Sequence, residues 1–176
     1  MSKSKAYQLE ELLPNLKQRA QQKRKENKKF FNRLKSVNPK LLDQQIHELH
    51  EDVFAQTDCL KCGNCCRTTG PLILPKDVDR LAKHLKIKAY EFEDRYTRVD
   101  EDGDRVFKSM PCPFLGEDNF CSVYEQRPKA CREFPHTDRI KQHQILEITR
   151  KNVSVCPAVF EISERLKLVL QQKRAR

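Results

Sequence analysis

Four thiols within eight residues, Cys59-Leu-Lys-Cys62-Gly-Asn-Cys65-Cys66, narrow what this chain can become before any other residue is weighed. A two-residue spacing lets one tight turn aim two sulfurs at one ion. Gly63 frees the backbone where amide N–H groups must turn toward sulfur. Four more cysteines, Cys112, Cys121, Cys131 and Cys156, follow at wide spacing. Lone buried thiols are ordinary core residues, whereas a cluster at short spacing is the mark of thiolate–metal ligation. Disulfides are not expected. The opening Met-Ser-Lys-Ser-Lys has no apolar secretory segment, and a cytoplasmic chain keeps its thiols reduced.

Tetrahedral zinc takes four nitrogen or sulfur ligands, so Cys59, Cys62, Cys65, Cys66, Cys112, Cys121, Cys131 and Cys156 would suit two such sites. An iron–sulfur cluster, of the [4Fe–4S] type, also takes four cysteines. A C-x₂-C-x₂-C run with a distant Cys-Pro is the bacterial ferredoxin arrangement. Here Cys59, Cys62 and Cys65 form the run, and Cys112-Pro113 or Cys156-Pro157 could complete it. The vicinal pair Cys65 and Cys66 is expected to point in different directions and serve two neighbouring metals. Spacing alone leaves zinc and iron–sulfur both open.

Other chemistry has little support. The four glycines form no phosphate-cradling pattern, which excludes a P-loop and a dinucleotide fingerprint. His47 and His50 are three residues apart, not the four a protease zinc helix needs. His136, near Cys131, is the one histidine considered as a spare ligand. No cysteine stands apart from the metal set as a nucleophile, and no enzymatic reaction is read. Arg67, Arg127 and Arg132 adjoin ligand cysteines and would offset the negative charge of thiolates.

Net charge is +10, and its distribution is uneven. Residues 17–40 hold ten basic residues against one acid, Glu26, enough to attract a phosphate backbone. Nucleic acid or an acidic protein is therefore the expected partner of that arm. Apolar runs of four residues or fewer give no membrane span.

Helical spacing is the main secondary-structure signal. Leu9, Leu12, Leu13, Leu16 and Ala20 form one stripe, and Phe30, Phe31, Leu34 and Val37 another. Between them, Gln21 to Lys29 has no apolar residue and reads as a solvated or frayed helix. Leu42, Ile46, Leu49 and Val53 predict a helix, as do Val78, Leu81, Ala82 and Leu85. Val159, Ile162, Leu166 and Val169 predict a closing one. Short helices are expected over 89–96, after Cys121 and after Pro128, while 139–155 is ambiguous. Pro71 to Pro75 reads as an extended edge. Asp102-Gly103 predicts a hairpin with a two-residue turn, pairing Val99 with Val106 and Asp100 with Arg105.

The cysteine run resembles the motif of the YkgJ-like cysteine-cluster family, described as chelating zinc or iron. Cys112-Pro-Phe-Leu115, the stretch from Cys121-Ser-Val-Tyr124 through Arg127-Pro128 and Cys131-Arg132-Glu-Phe134-Pro135, and Cys156-Pro157 are similar to it too, as is the segment around Asp77 and Leu81-Ala82. The resemblance covers about residues 57–160 and implies metal binding through these cysteines without a defined reaction. The expected fold is mainly α with a small β hairpin, an irregular metal-stabilised domain with a helical N-terminal extension. Its parts are a basic helical arm over 1–56, a cysteine-cluster domain over 57–160 and the rest of the closing helix over 161–176.

Overall fold

A computed structural model describes residues 12–172. Leu9, the first member of the predicted N-terminal stripe, lies outside them. The described residues are mainly helical with one two-stranded hairpin, as the helical periodicity and Asp102-Gly103 predict. It divides into two compact units. One combines residues up to Asp58 with Pro135 onward, and the other is the continuous stretch Cys59–Phe134.

Among the described residues the first unit shows a 3₁₀ turn at Leu13–Asn15, set by Pro14, which runs into α1 (Leu16–Gln22) and α2 (Arg24–Leu34). Helix α3 (Pro39–Phe54) follows a short bend. Its start is fixed by Asn38, whose Oδ1 accepts hydrogen bonds from the Lys40 and Leu41 amides at 3.0 and 3.2 Å, with Pro39 in the first helical position. Leu42, Ile46, Leu49 and Val53 are all buried. They pack with the face of the closing helix that carries Val159, Ile162 and Leu166.

Gln21 to Lys29 is helical apart from a break at Lys23, although it has no apolar residue. Polar contacts replace apolar burial there. Lys167 Nζ donates to Glu26 at 2.5 Å and to Glu164 at 2.6 Å, and Lys23 reaches Glu164 at 2.5 Å. Asn27 is also buried.

The second unit carries seven of the eight cysteines. Two short helices, α4 (Cys59–Cys62) and α5 (Asn64–Thr68), hold the dense run. Helices α6 (Pro75–Leu85) and α7 (Ala89–Tyr96) then lead into strands β1 (Thr97–Val99) and β2 (Arg105–Phe107). Pro71–Leu74 is irregular, Pro75 already opens α6, and the Ile73 amide donates to the Arg105 carbonyl of the hairpin at 2.8 Å. A 3₁₀ turn at Tyr124–Gln126 precedes α8 (Lys129–Glu133). The aromatic centre of this unit is Phe92, fully buried, with Phe114 stacked at 6.3 Å and Tyr96 at 5.3 Å. Cys112 and Cys121 pack against the same cluster.

The hairpin departs from expectation by one residue. Thr97 pairs with Phe107, Arg98 with Val106 and Val99 with Arg105. The turn is longer because Asp100 organises it. Its side chain accepts from the Asp102 and Asp104 amides at 3.1 and 2.9 Å, and Gly103 takes the left-handed conformation at φ +83°. That is the longer loop closed by a left-handed glycine rather than the two-residue turn.

Back in the first unit, the 139–155 region resolves into a 3₁₀ turn at Gln142–Gln144 and α9 (Leu146–Asn152). Helix α10 (Pro157–Gln172) closes the chain. No described helix is long and apolar enough to cross a membrane.

Replacing Phe92 by Ala empties the centre of the second unit. It is expected to cost about 3–5 kcal/mol, read as a lowered urea midpoint for the unfolding of this unit.

Candidate metal centre

The dense cysteine run is built around a left-handed glycine. Helix α4 ends where the Gly63 amide donates to the Cys59 carbonyl at 2.9 Å, and Gly63 sits at φ +54°. The chain reverses there and starts α5, which carries Cys65 and Cys66. A Cβ at position 63 would stand 2.6 Å from Arg67 Nη1 and 3.2 Å from Asn119 Oδ1, so both conformation and space call for glycine.

Arg67 and Asn119 clasp this turn. Arg67 Nη1 donates to the Cys62 carbonyl at 3.0 Å, and its Nη2 donates to Asn119 Oδ1. Asn119 Nδ2 donates to the Lys61 carbonyl at 3.2 Å. The clasp draws the 116–120 loop onto α4, and Cys121 follows that loop directly. Asn119 itself has φ +66°, a conformation asparagine adopts more readily than most residues.

The remaining thiols of this unit are positioned by main chain. The Cys112 amide donates to the Cys66 carbonyl at 2.8 Å. Cys121 forms an antiparallel bridge with Leu115, three residues beyond Cys112. Cys131 rides on α8, whose first amide, that of Lys129, donates to Asp77 Oδ1 at 3.1 Å. Asp77 is 1% exposed, accepts from the Leu74 amide at 3.0 Å, and holds Arg80 at 2.5 Å. Arg80 in turn donates to the carbonyls of Gln126 and Arg127 at 3.2 and 3.0 Å. Helix α6 thus pins the strip running from Cys121 to Cys131. Sequence reasoning missed Asp77 and Asn119 as organisers. Their available signals were an acid at the third position of a proline-started helix and an asparagine in a tight loop.

None of the eight cysteines forms a disulfide. The Sγ atoms of Cys65 and Cys66 lie 3.9 Å apart. The expected divergence of the vicinal pair is therefore not what the structure has. The separation is close to the edge of a tetrahedron with metal–sulfur bonds of about 2.3 Å, or about 3.8 Å. Cys156 belongs to the first unit, at the head of α10, where its carbonyl accepts from the Phe160 amide at 3.0 Å. His136 lies in that unit too, at φ +69°. His50 hydrogen-bonds Thr137 Oγ1 at 2.8 Å and stacks on Phe54, a packing role. Among the described residues, no group of three or more His, Cys, Asp or Glu side chains stands in a ready metal-holding arrangement.

Electrostatically Cys62, Cys65, Cys66, Cys112, Cys121 and Cys131 act on one another. The hydrogen bond from Cys65 lowers the Cys66 pKa to about 7, with Arg67 and Arg127 assisting against burial. Burial pushes Cys112 up to about 11 and Cys131 to about 12, with the charges of Cys66 and Cys121 adding to both. Burial also raises Cys62 and Cys121. The donor chemistry suits a thiophilic metal, which takes thiolates and releases their protons.

Residues 58–157 match the sequence profile of the CxxCxxCC family, described as "Putative zinc- or iron-chelating domain". An uncharacterized protein of Methanocaldococcus jannaschii is 31% identical over 90 residues, covering 49% of this chain and 48% of its own. The chain thus spans about half the length of that curated relative. No solved structure matches the chain.

The pKa values fix how metal-free protein responds to pH. Cys112 and Cys131 titrate above the ordinary thiol value of 9.0 when folded, so the stability they contribute is full below pH 9 and lost as pH rises toward 11 and 12. Cys66 works oppositely, contributing above pH 9 and fading as pH falls through 7. Urea unfolding of metal-free protein should show maximal stability near pH 9. A stability that keeps rising to pH 11 would contradict this balance.

Proposed function

The chain belongs to the CxxCxxCC family, and from that premise we propose that its cysteines hold an iron–sulfur cluster or zinc in a redox or accessory role. The proposed ligands are Cys59, Cys62, Cys65, Cys66, Cys112, Cys121, Cys131 and Cys156. The observation that carries the reading is the closeness of thiols in the Cys59–Phe134 unit, with the Cys65 and Cys66 sulfurs 3.9 Å apart and the Cys112 amide bonded to the Cys66 carbonyl at 2.8 Å. The ferredoxin-like spacing of Cys59, Cys62 and Cys65 favours the iron–sulfur form first. A bound cluster would supply one-electron chemistry, and zinc would supply a structural cross-link. The chain's own residues do the rest. Gly63 and Arg67 shape the turn, Asp77 orients the Cys131 helix, and the Phe92 cluster shields Cys112 and Cys121. A reducing, cytoplasmic setting goes with this role, because it keeps the thiols available.

Anaerobic purification followed by elemental analysis tests it. Brown protein with broad absorbance near about 400 nm marks iron–sulfur, and colourless protein containing zinc marks the other form. Cys62→Ser is expected to lose metal and cooperative unfolding together, because ligation and folding are linked. Full metal content with an unchanged melt would remove Cys62 from the ligand set.

The exposed cations of the first unit favour a second reading, contact with nucleic acid. Helix α2 buries Asn27, Phe30, Phe31 and Leu34, which turns Arg24, Lys25, Lys28, Lys29 and Arg33 to solvent. Glu26, the one acid of residues 17–40, is engaged by Lys167. Such a face suits a phosphate backbone, with binding driven by counterion release. Affinity for a DNA or RNA duplex should fall steeply with salt. Changing Lys25, Lys28 and Lys29 to Gln should flatten the log–log slope by about two to three. An unchanged slope rejects the reading.

A further inference from the structure

Three arginines adjoin the cysteines of the second unit, and they are not equivalent. Arg67 is committed to the Cys62 carbonyl and to Asn119. Arg132 is exposed, and its Nη1 donates to the Arg127 carbonyl at 2.7 Å. Arg127 differs from both. Its guanidinium lies over the Tyr124 ring at 3.6 Å, and its carbonyl is held by Arg80 and Arg132. Yet Nη1 is buried with no hydrogen-bond partner.

Among the described residues, buried side-chain polar atoms without a partner are Asn27 Oδ1, Gln142 Oε1 and Arg127 Nη1. Arg127 is the charged one. Burying a charged donor and leaving it unmet is costly, so its persistence points to an anion that the protein alone does not supply. Its neighbours along the chain are thiols. The Tyr124 amide, below the ring that Arg127 covers, donates to the Cys121 carbonyl at 3.1 Å, and the Cys131 amide donates to the carbonyl of Pro128, the next residue, at 3.0 Å. Sites made only of thiolates carry excess negative charge once metal is held. A guanidinium, always charged and only weakly hydrated, suits that role better than an ammonium.

We propose that Arg127 is the fixed counter-charge of the metal–thiolate group, its open Nη1 donor supplying the positive charge that an all-sulfur site lacks. The proposal rests on the metal-binding reading above. Arg127 is a positioning residue here: it acts on the ligands and is not itself one. Tyr124 keeps the guanidinium in place by stacking, and Asp77 does so indirectly, through Arg80 on the Arg127 carbonyl.

The test uses the full chain and zinc alone, titrated in competition with a chromophoric chelator, for the parent, Arg127→Gln, Arg127→Met and Arg127→Lys. The two neutral variants should bind zinc about 10- to 100-fold more weakly, and Lys should recover part of the loss. Metal-free Arg127→Met should unfold at the same urea concentration as the parent or a higher one, since an unmet buried donor is gone. A purely structural arginine would lower metal-free stability in every variant, without rescue by Lys. Zinc affinity within twofold of the parent in either neutral variant overturns the proposal, as does a Lys variant no better than Gln. A parent chain that takes up no metal overturns the metal-binding reading itself, a result distinct from both.

Discussion

Sulfur ligates as thiolate, and burial opposes the loss of its proton. That conflict organises the Cys59–Phe134 unit. Cys112 and Cys131, pressed into the interior, resist ionisation at about 11 and 12, while Cys66, supported by Cys65 and two guanidinium groups, gives way at about 7. The unit therefore sets a thiol that ionises near neutral pH beside others that burial keeps protonated. These thiols are graded in their reluctance to ionise rather than alike.

The scaffold that holds these thiols has little regular structure of its own. Helix α4 is four residues long and α5 five. What fixes them is side chain on main chain: Arg67 and Asn119 on the carbonyls of the first turn, Asp77 on the amide that starts α8. Each of these residues meets backbone groups that would otherwise be orphaned at short helix ends. The hydrophobic cluster of Phe92, Phe107 and Phe114 includes Val78 and Leu81 of α6, the helix that carries Asp77, and Cys112 and Cys121 pack against it.

Elements whose burial is one-sided were legible in the sequence. Leu42, Ile46, Leu49 and Val53 repeat at helical spacing because one face of α3 is covered, and the same holds for Val78, Leu81 and Ala82 in α6. The metal-binding character was legible too, since thiols set so close together along a chain rarely serve anything but an ion. The hairpin register was not, because a carboxylate oxygen of Asp100 lengthens the turn, and hydropathy patterns say nothing of such bonds. Residues 139–155 were ambiguous because part of their order is polar, beside the buried Ile145, Leu146 and Val153. Gln142 is fully buried and spends its amide on the carbonyls of His136 and Arg139. Asp77 was missed as an organiser for a related reason: an acid in a first helical turn signals a cap, while the Lys129 amide and Arg80 that it also holds are set by the fold.

The first unit is discontinuous in the chain. Helices α1 to α3 bury their apolar faces against α10, which is separated from them by the whole of Cys59–Phe134. During synthesis the cysteine-bearing stretch leaves the ribosome complete while the early helices still lack their partner. Closing the first unit must wait for residues 135 onward, a long-range and therefore slow step. The intervening stretch needs no such wait. Its own cluster around Phe92 can pack before the rest of the molecule has closed, whereas Cys156 leaves the ribosome only with the later residues.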